Sequence, residues 1–228
     1  MLFYLVKSGR LKNIQDTNVI QWKKSNESLA GLINQVSAEQ RSISHEVQKV
    51  VLSQLLVDST NSASGKVIEV GSYKGGTAVL FRRILDMKSD SRDVLAYDTF
   101  DGHPHVNPGI DTHKVSSFFQ ENSSETLGYL RENGVSYVVG DVMVTFDFNQ
   151  NLDSIAFLHL DVDLYQVTKL FLLNLHRIMQ SGGICVVDDF GKASCPGIEL
   201  SFAETHSILN QHFHVFSPMT FQLVLIKK

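Results

Sequence analysis

Between residues 66 and 190 the chain repeats one texture: a short apolar, β-branched run, an acidic residue at its end, then a stretch at helical spacing. The runs are KVIEVG, DVLAYDTF, VSYVVGD, IAFLHLDVD and GICVVDDF. Strands that are apolar at nearly every position have both faces covered, and helices between them set successive strands parallel. GGTAVLFRRILDM and YQVTKLFLLNLHRIM supply such helices, the first placing Leu80, Ile84 and Met87 on one face. The tail differs. FHVFSP and FQLVLIKK, joined by a short turn with Pro218 and preceded by the helical GIELSFAETHSILNQ, are expected to pair antiparallel. The expectation is an α/β fold: a mostly parallel sheet with helices on both faces, closed by a C-terminal hairpin.

Ahead of this lies a helical front end. Leu29, Leu32, Ile33 and Val36, then Ile43, Val47, Val50, Val51 and Leu55, fall at helical spacing from Glu27 to about Val57. The turn-rich DSTNSASG, residues 58–65, reads as a break. Two units are therefore expected: 1–64 as a helical cap or subunit contact, and 65–228 as the main domain. Trp22 precedes the first expected helix and is read as covering the core. The opening MLFYLV is too short for a signal-peptide core or a bilayer span, and is expected to be a docking segment or short strand.

A formal net charge of -4 argues against a nucleic-acid partner, and no other run is apolar enough for a membrane. Cys185 and Cys195 make no disulfide framework, which points to a reducing, cytoplasmic setting.

In parallel sheets, ligands bind outside the carboxyl ends of the strands, where strand order reverses. Each run here ends in an acid: Glu69, Asp98, Asp141, Asp161 with Asp163, and Asp188 with Asp189. Gly71, Gly75 and Gly76 in VIEVGSYKGGTA let a backbone approach a ligand, although Ser72 and Tyr73 break the dinucleotide fingerprint. Asp98 stands where an acid accepts from ribose hydroxyls, and Asp141 where one accepts from an adenine amino group. With the turn that holds Gly71, Ser72 and Gly75, they suggest an adenosine-bearing cofactor without a demanding phosphate site, S-adenosylmethionine over NAD.

The four later aspartates call for a cation. Two carboxylates about 4 Å apart repel by roughly 4 kcal/mol at an effective dielectric near 20, so a cluster takes up protons unless positive charge sits among them. Mg²⁺ or another divalent cation on Asp161, Asp188 and Asp189 answers this and eases loss of a hydroxyl proton. Asp163 is then a candidate general base, or alternatively the N-cap of the helix beginning near Tyr165. In an extended strand Asp188 and Asp189 point to opposite faces, which leaves open whether both reach one ion.

Together VIEVGSYKGGTAVL, YDTFDGHP, LHLDVDLYQVTKLFLLNL, SGGICVVDDFG and CPGIELSFAE resemble the TylF/macrocin O-methyltransferases over about residues 65–228. That resemblance implies a class I methyltransferase Rossmann-like sheet and S-adenosylmethionine at Glu69, Gly71, Gly75, Asp98 and Asp141. It implies Mg²⁺ on Asp161, Asp188 and Asp189, Asp163 as base, and a sugar or polyol hydroxyl of a small natural product as acceptor. It also implies a homodimer or larger assembly and a lid over residues 103–126. His103 stands where the family has a small apolar residue; with His105 and His113 it could bind a metal or orient an acceptor, and the three are read as solvated. A phenol or amine acceptor, or a non-catalytic binding protein on the same fold, are the rival readings.

Overall fold

Each expected apolar run is a strand in the computed structural model, which describes residues 11–218 and 220–228; the opening MLFYLV lies outside the described residues. Strands β1 (Lys66–Val70), β2 (Val94–Asp98), β3 (Ser136–Val139), β4 (Ile155–Leu160), β5 (Met179–Asp188), β6 (Phe213–Phe216) and β7 (Gln222–Lys227) form one sheet, in the order β3-β2-β1-β4-β5-β7-β6. The first five are mutually parallel. The terminal hairpin is antiparallel as expected, with β7 slotted between β5 and β6. Strand order reverses between β1 and β4, so the crevice for a ligand falls there. All six β4 residues are buried, which is what its continuous apolar run requires.

Helices cover both faces. On one, α2 (Glu27–Ala38), α3 (Glu46–Ser62) and α4 (Gly76–Met87) bring Ile33, Val36, Leu52, Leu56 and Phe81 against Phe157 and Val186 of the sheet. On the other, α7 (Tyr165–Ile178) and α8 (Pro196–His212) set Phe171, Leu175 and Ile198 against Ile68, Leu158 and Val187. Two shorter helices, α5 (Ser123–Glu132) and α6 (Val142–Thr145), follow β2 and β3. No helix among the described residues is long and apolar enough to cross a membrane.

The structure departs from expectation at several points, among them Ile43, which lies in the α2–α3 connection, 65% exposed, rather than on a helix face. Trp22 lies inside a helix, α1 (Leu11–Ser25), rather than before the first one; its indole N–H donates to Gln54 Oε1 at 3.1 Å and its ring joins the core. The α1 sequence is polar on most sides, so periodicity alone hides it. The break at DSTNSASG begins later, because α3 runs to Ser62. Its small polar residues bond to backbone instead of ending the helix: Ser59 Oγ donates to the Ala156 carbonyl at 2.5 Å, at the irregularity where β4 shifts register against both neighbours. On α4, Leu80 and Ile84 are buried but Met87 is 44% exposed. The helix is wedged between the sheet and the front helices as far as Leu85, and its last turn emerges from that cover.

Candidate functional site

The carboxyl ends of β1, β2 and β4 open onto a cleft bordered by Glu69, Gly71, Ser72, Asp98, Asp141 and Asp161. Gly71 has φ +88, and a Cβ there would stand 1.8 Å from the Asp161 carbonyl oxygen. The glycine thus lets the turns after β1 and β4 cross. At Gly76 a Cβ would stand 2.7 Å from the Arg41 backbone, and the Gly76 amide donates to the Arg41 carbonyl, so the α2–α3 connection closes one end of the cleft. What these missing side chains admit is this chain itself, and the cleft lies beside them.

Asp98 is fixed by two backbone amides, with Tyr73 N–H donating to Oδ2 at 2.8 Å and Phe100 N–H to Oδ1 at 2.7 Å. Burial pushes its pKa up, and the amides of Phe100 and Tyr73 pull the other way. Each oxygen keeps a lone pair for a ligand hydroxyl. Ser72 Oγ and Glu69 Oε2 are buried in the same wall with no hydrogen-bond partner, which suits a polar ligand. Asp141 has a structural task as well, since it caps α6 by accepting from Met143 N–H at 2.9 Å.

At the other half of the edge the chain bends sharply. Asp163 (φ +60) and Asp189 (φ +62) are both left-handed, so strand alternation has ended before Asp189. Asp161 lies with His159 and Asp188 in one group, and with Asp163 and Asp189 in another, ligand atoms within 4.8 Å of one another in each. Asp161 is the member they share. Burial and then the charge of Asp188 push its pKa well above the usual carboxylate range, and no hydrogen bond offsets them. Burial, followed by the proton it shares with Asp189, raises Asp163 too. Asp189 is lowered: burial opposes its charge, but the bonds from Asp163 and from the paired Lys192 ammonium outweigh it. An oxygen-rich donor set with surplus negative charge fits a hard divalent cation.

His159 is the residue sequence reasoning missed. Fully buried, it stands between the two halves, with Nδ1 at 3.0 Å from Glu69 Oε1 and Nε2 at 3.6 Å from Asp188 Oδ2, the latter an ion-pair distance. Burial opposes its charge, yet the flanking Asp188 and Glu69 carboxylates raise its pKa to about 10. Its signal was available: it precedes Asp161 by two positions, on the same side of β4. Gln48 of α3 completes the grip on Asp188, its Nε2 donating to Oδ1 at 2.8 Å.

The segment after β2 folds over both halves. Asp111 in this segment, rather than Asp163, bonds the first amide of α7, accepting from Tyr165 N–H at 2.9 Å; the N-cap alternative for Asp163 is thereby excluded. The loop histidines are not solvated as expected. His103 is held between the rings of His113 and Phe118, at 5.4 and 5.3 Å, and burial, then the neighbouring His113, lowers its pKa to about 4. His105 Nδ1 stands 3.5 Å from Asp141 Oδ2. The final residues of the expected 103–126 lid belong to α5.

This sheet order, with a cleft at its reversal, is that of the class I methyltransferase fold. The O-methyltransferase NovP superposes with a TM-score of 0.73 at 21% identity, over 90% of this chain and 99% of that one. CalS11, a calicheamicin methyltransferase, gives 0.65 at 18% identity, over 89% and 92%. Residues 45–220 match the model of the macrocin-O-methyltransferase (TylF) family, and the chain belongs to that family. Among its relatives, the demethyldecarbamoylnovobiocin O-methyltransferase of Streptomyces niveus is 32% identical over 149 residues, 60% of this chain and 56% of that protein. A rhamnosyl-tetracenomycin-C 4'-O-methyltransferase of Streptomyces olivaceus is 30% identical over 145 residues, 58% of this chain and 55% of that protein. The chain thus spans about half the length of these curated relatives.

Proposed function

We propose that this protein is an S-adenosylmethionine-dependent O-methyltransferase that uses a divalent cation and acts on a sugar or polyol hydroxyl of a small natural product. The observation that carries the reading is that Asp161 and Asp163 border both the cleft lined by Glu69, Ser72 and Asp98 and the adjoining cavity that holds Asp188 and Asp189. A methyl donor and a charged acceptor site would therefore meet at one pair of carboxylates. The family and the relatives named above, one of them an O-methyltransferase of a rhamnosyl-bearing tetracenomycin, support the acceptor class.

S-Adenosylmethionine, when bound, supplies a methyl group on a sulfonium, transferred with cleavage of its S–C bond and formation of an O–C bond. A divalent cation, when bound, supplies the positive charge that the cluster lacks. Asp98 would orient the ribose, with Ser72 Oγ and Glu69 Oε2 as the remaining polar partners in the wall. Asp161, Asp188 and Asp189 would hold the cation. Asp163 would take the acceptor hydroxyl's proton on its carboxylate, and the 103–122 segment, through His103 and Phe118, would keep water from the reacting oxygen.

The experiment is calorimetric titration with S-adenosylhomocysteine, with and without Mg²⁺, then mass spectrometry of deoxysugar glycosides incubated with protein and S-adenosylmethionine. Binding and a gain of one methyl, abolished by a chelator, are expected. A wild-type protein that ignores S-adenosylhomocysteine under every condition would end the reading, and chelator-resistant turnover would remove the cation from it.

A further inference from the structure

Beside the oxygen-rich cluster, and sharing Asp163 with it, is a second donor set whose thiol and imidazoles this reading leaves unused. Cys195, just before α8, places Sγ 3.2 Å from Asp163 Oδ1, 3.3 Å from Asp189 Oδ2 and 3.5 Å from His113 Nε2. The ligand atoms of His113, Asp163 and Cys195 all lie within 4.8 Å of one another. Across Asp163, His103 Nε2 stands 3.9 Å from Oδ2, buried and without a hydrogen-bond partner. Tetrahedral zinc, with bonds of about 2.0 Å to nitrogen or oxygen and about 2.3 Å to sulfur, separates its ligand atoms by roughly 3.5 Å. The thiol's own contacts already have that spacing.

Two features show that this gathering is built. The loop carrying His113 is anchored on both sides, by the Thr112 hydroxyl donating to the Ser194 carbonyl and by Asp111 holding the Tyr165 amide. The first of these ties the residue before His113 to the residue before Cys195. The chemistry also differs from its neighbour. Imidazole, thiolate and carboxylate form a borderline-soft set that selects zinc-like ions, whereas the aspartates around Asp161 suit Mg²⁺.

We infer that His113, Asp163 and Cys195, with His103 as the fourth donor, form a second metal site for zinc or a similar borderline dication, separate from the oxygen-rich site at Asp161, Asp188 and Asp189. Binding displaces the thiol proton and so is accompanied by proton release. It also occupies the Asp163 carboxylate. On the methyl-transfer reading, and only on it, zinc at this site is therefore an inhibitor that leaves cofactor binding intact.

The test is Co²⁺ titration of the full chain saturated with Mg²⁺, read by absorption. One equivalent of cobalt is expected to give a thiolate-to-cobalt charge-transfer band and the visible bands of tetrahedral cobalt. Both are expected to be bleached by Zn²⁺ and untouched by further Mg²⁺. Cys195→Ser should lose the charge-transfer band; the other cysteine, Cys185, is fully buried within β5 and out of reach. His113→Ala, in an irregular loop, should weaken cobalt binding at least tenfold and serves if the serine variant does not fold. A wild-type protein without the thiolate band, or a band that survives Cys195→Ser, overturns the inference. So does a band displaced by Mg²⁺, which would make the thiol a fringe ligand of the aspartate site. Failure of the methyltransferase reading would show in the S-adenosylhomocysteine titration and leave the cobalt spectrum unchanged.

Discussion

The two halves of the sheet's carboxyl edge are organised differently. After β1 and β2 the functional carboxylate is held by backbone, with the amides of Tyr73 and Phe100 on Asp98. After β4 and β5 the carboxylates face one another and are held mainly by side chains: Gln48 from α3, His159 from β4 and Lys192 just beyond β5. Backbone amides are in place whatever is bound, so the first half is organised by folding alone. The second half is organised by charge, and on the proposed reading a cation offsets its surplus of carboxylates. The first half should therefore respond little to metal and pH, and the second strongly to both.

The largest expected effect tests whether the halves are separable. On the proposed reading Asp163→Asn keeps the shape and removes the base, so kcat should fall by about 10²–10⁴-fold while S-adenosylhomocysteine affinity stays within about twofold. A comparable loss of cofactor affinity would mean that the halves act as one site. His159 is the joint between them, and His159→Gln leaves Glu69 and Asp188 buried with their common cation gone. Removing one partner of a buried ion pair costs about 3–5 kcal/mol, and at this chain length each kcal/mol lowers Tm by about 2–4 °C. A melting point lower by roughly 10 °C is expected, together with weaker binding of both cofactor and Mg²⁺. An unchanged melt would mean that His159 is neutral and the halves are uncoupled.

What the sequence made legible follows from the range of the forces involved. The strands, the acids at their ends and the terminal hairpin rest on local periodicity, which the apolar runs carry openly. The partners of those acids do not. Gln48 and Asp188 are 140 residues apart and meet only because α3 packs over β5. His113 meets Cys195 because one loop is pinned to another, and Asp111 takes the helix-start bond that the neighbouring Asp163 seemed placed to make. The serine-rich end of α3 misled for a related reason: Ser59 reads as a breaker until the free carbonyl of Ala156 is known to be above it. His159 alone was within reach, through the two-residue period of β4.

Asp98→Asn addresses the backbone-held half from its own side. The amide has the same shape, but one of its terminal atoms is now a donor facing the Tyr73 or Phe100 N–H. A hydrogen bond to a charged group contributes about 1.5–3 kcal/mol, so S-adenosylhomocysteine affinity should drop by roughly 10–100-fold. Mg²⁺ affinity should not change, and a matching loss in a Mg²⁺ titration would break the distinction between the halves.

The smallest effect is the pH response, and its sign follows from the protons held. Asp163 is raised by burial and by sharing a proton with Asp189, to about 8 in the folded, cation-free protein, against about 3.9 for an unfolded aspartate. Between those values the folded state keeps a proton that the unfolded chain has released. Unfolding free energy from this group therefore falls as pH rises from about 4 to about 8. A cation reverses the preference, because its charge favours the ionised carboxylate and binding must displace the proton. Apparent Mg²⁺ affinity should therefore rise with pH, by at most about tenfold per unit for each proton displaced, and level off above about 8. Denaturant melts at pH 6 and 8 should show stability falling with pH without Mg²⁺ and flattening with it. A Mg²⁺ affinity independent of pH would mean that Asp163 is already ionised, with Lys192 and His159 compensating the cluster.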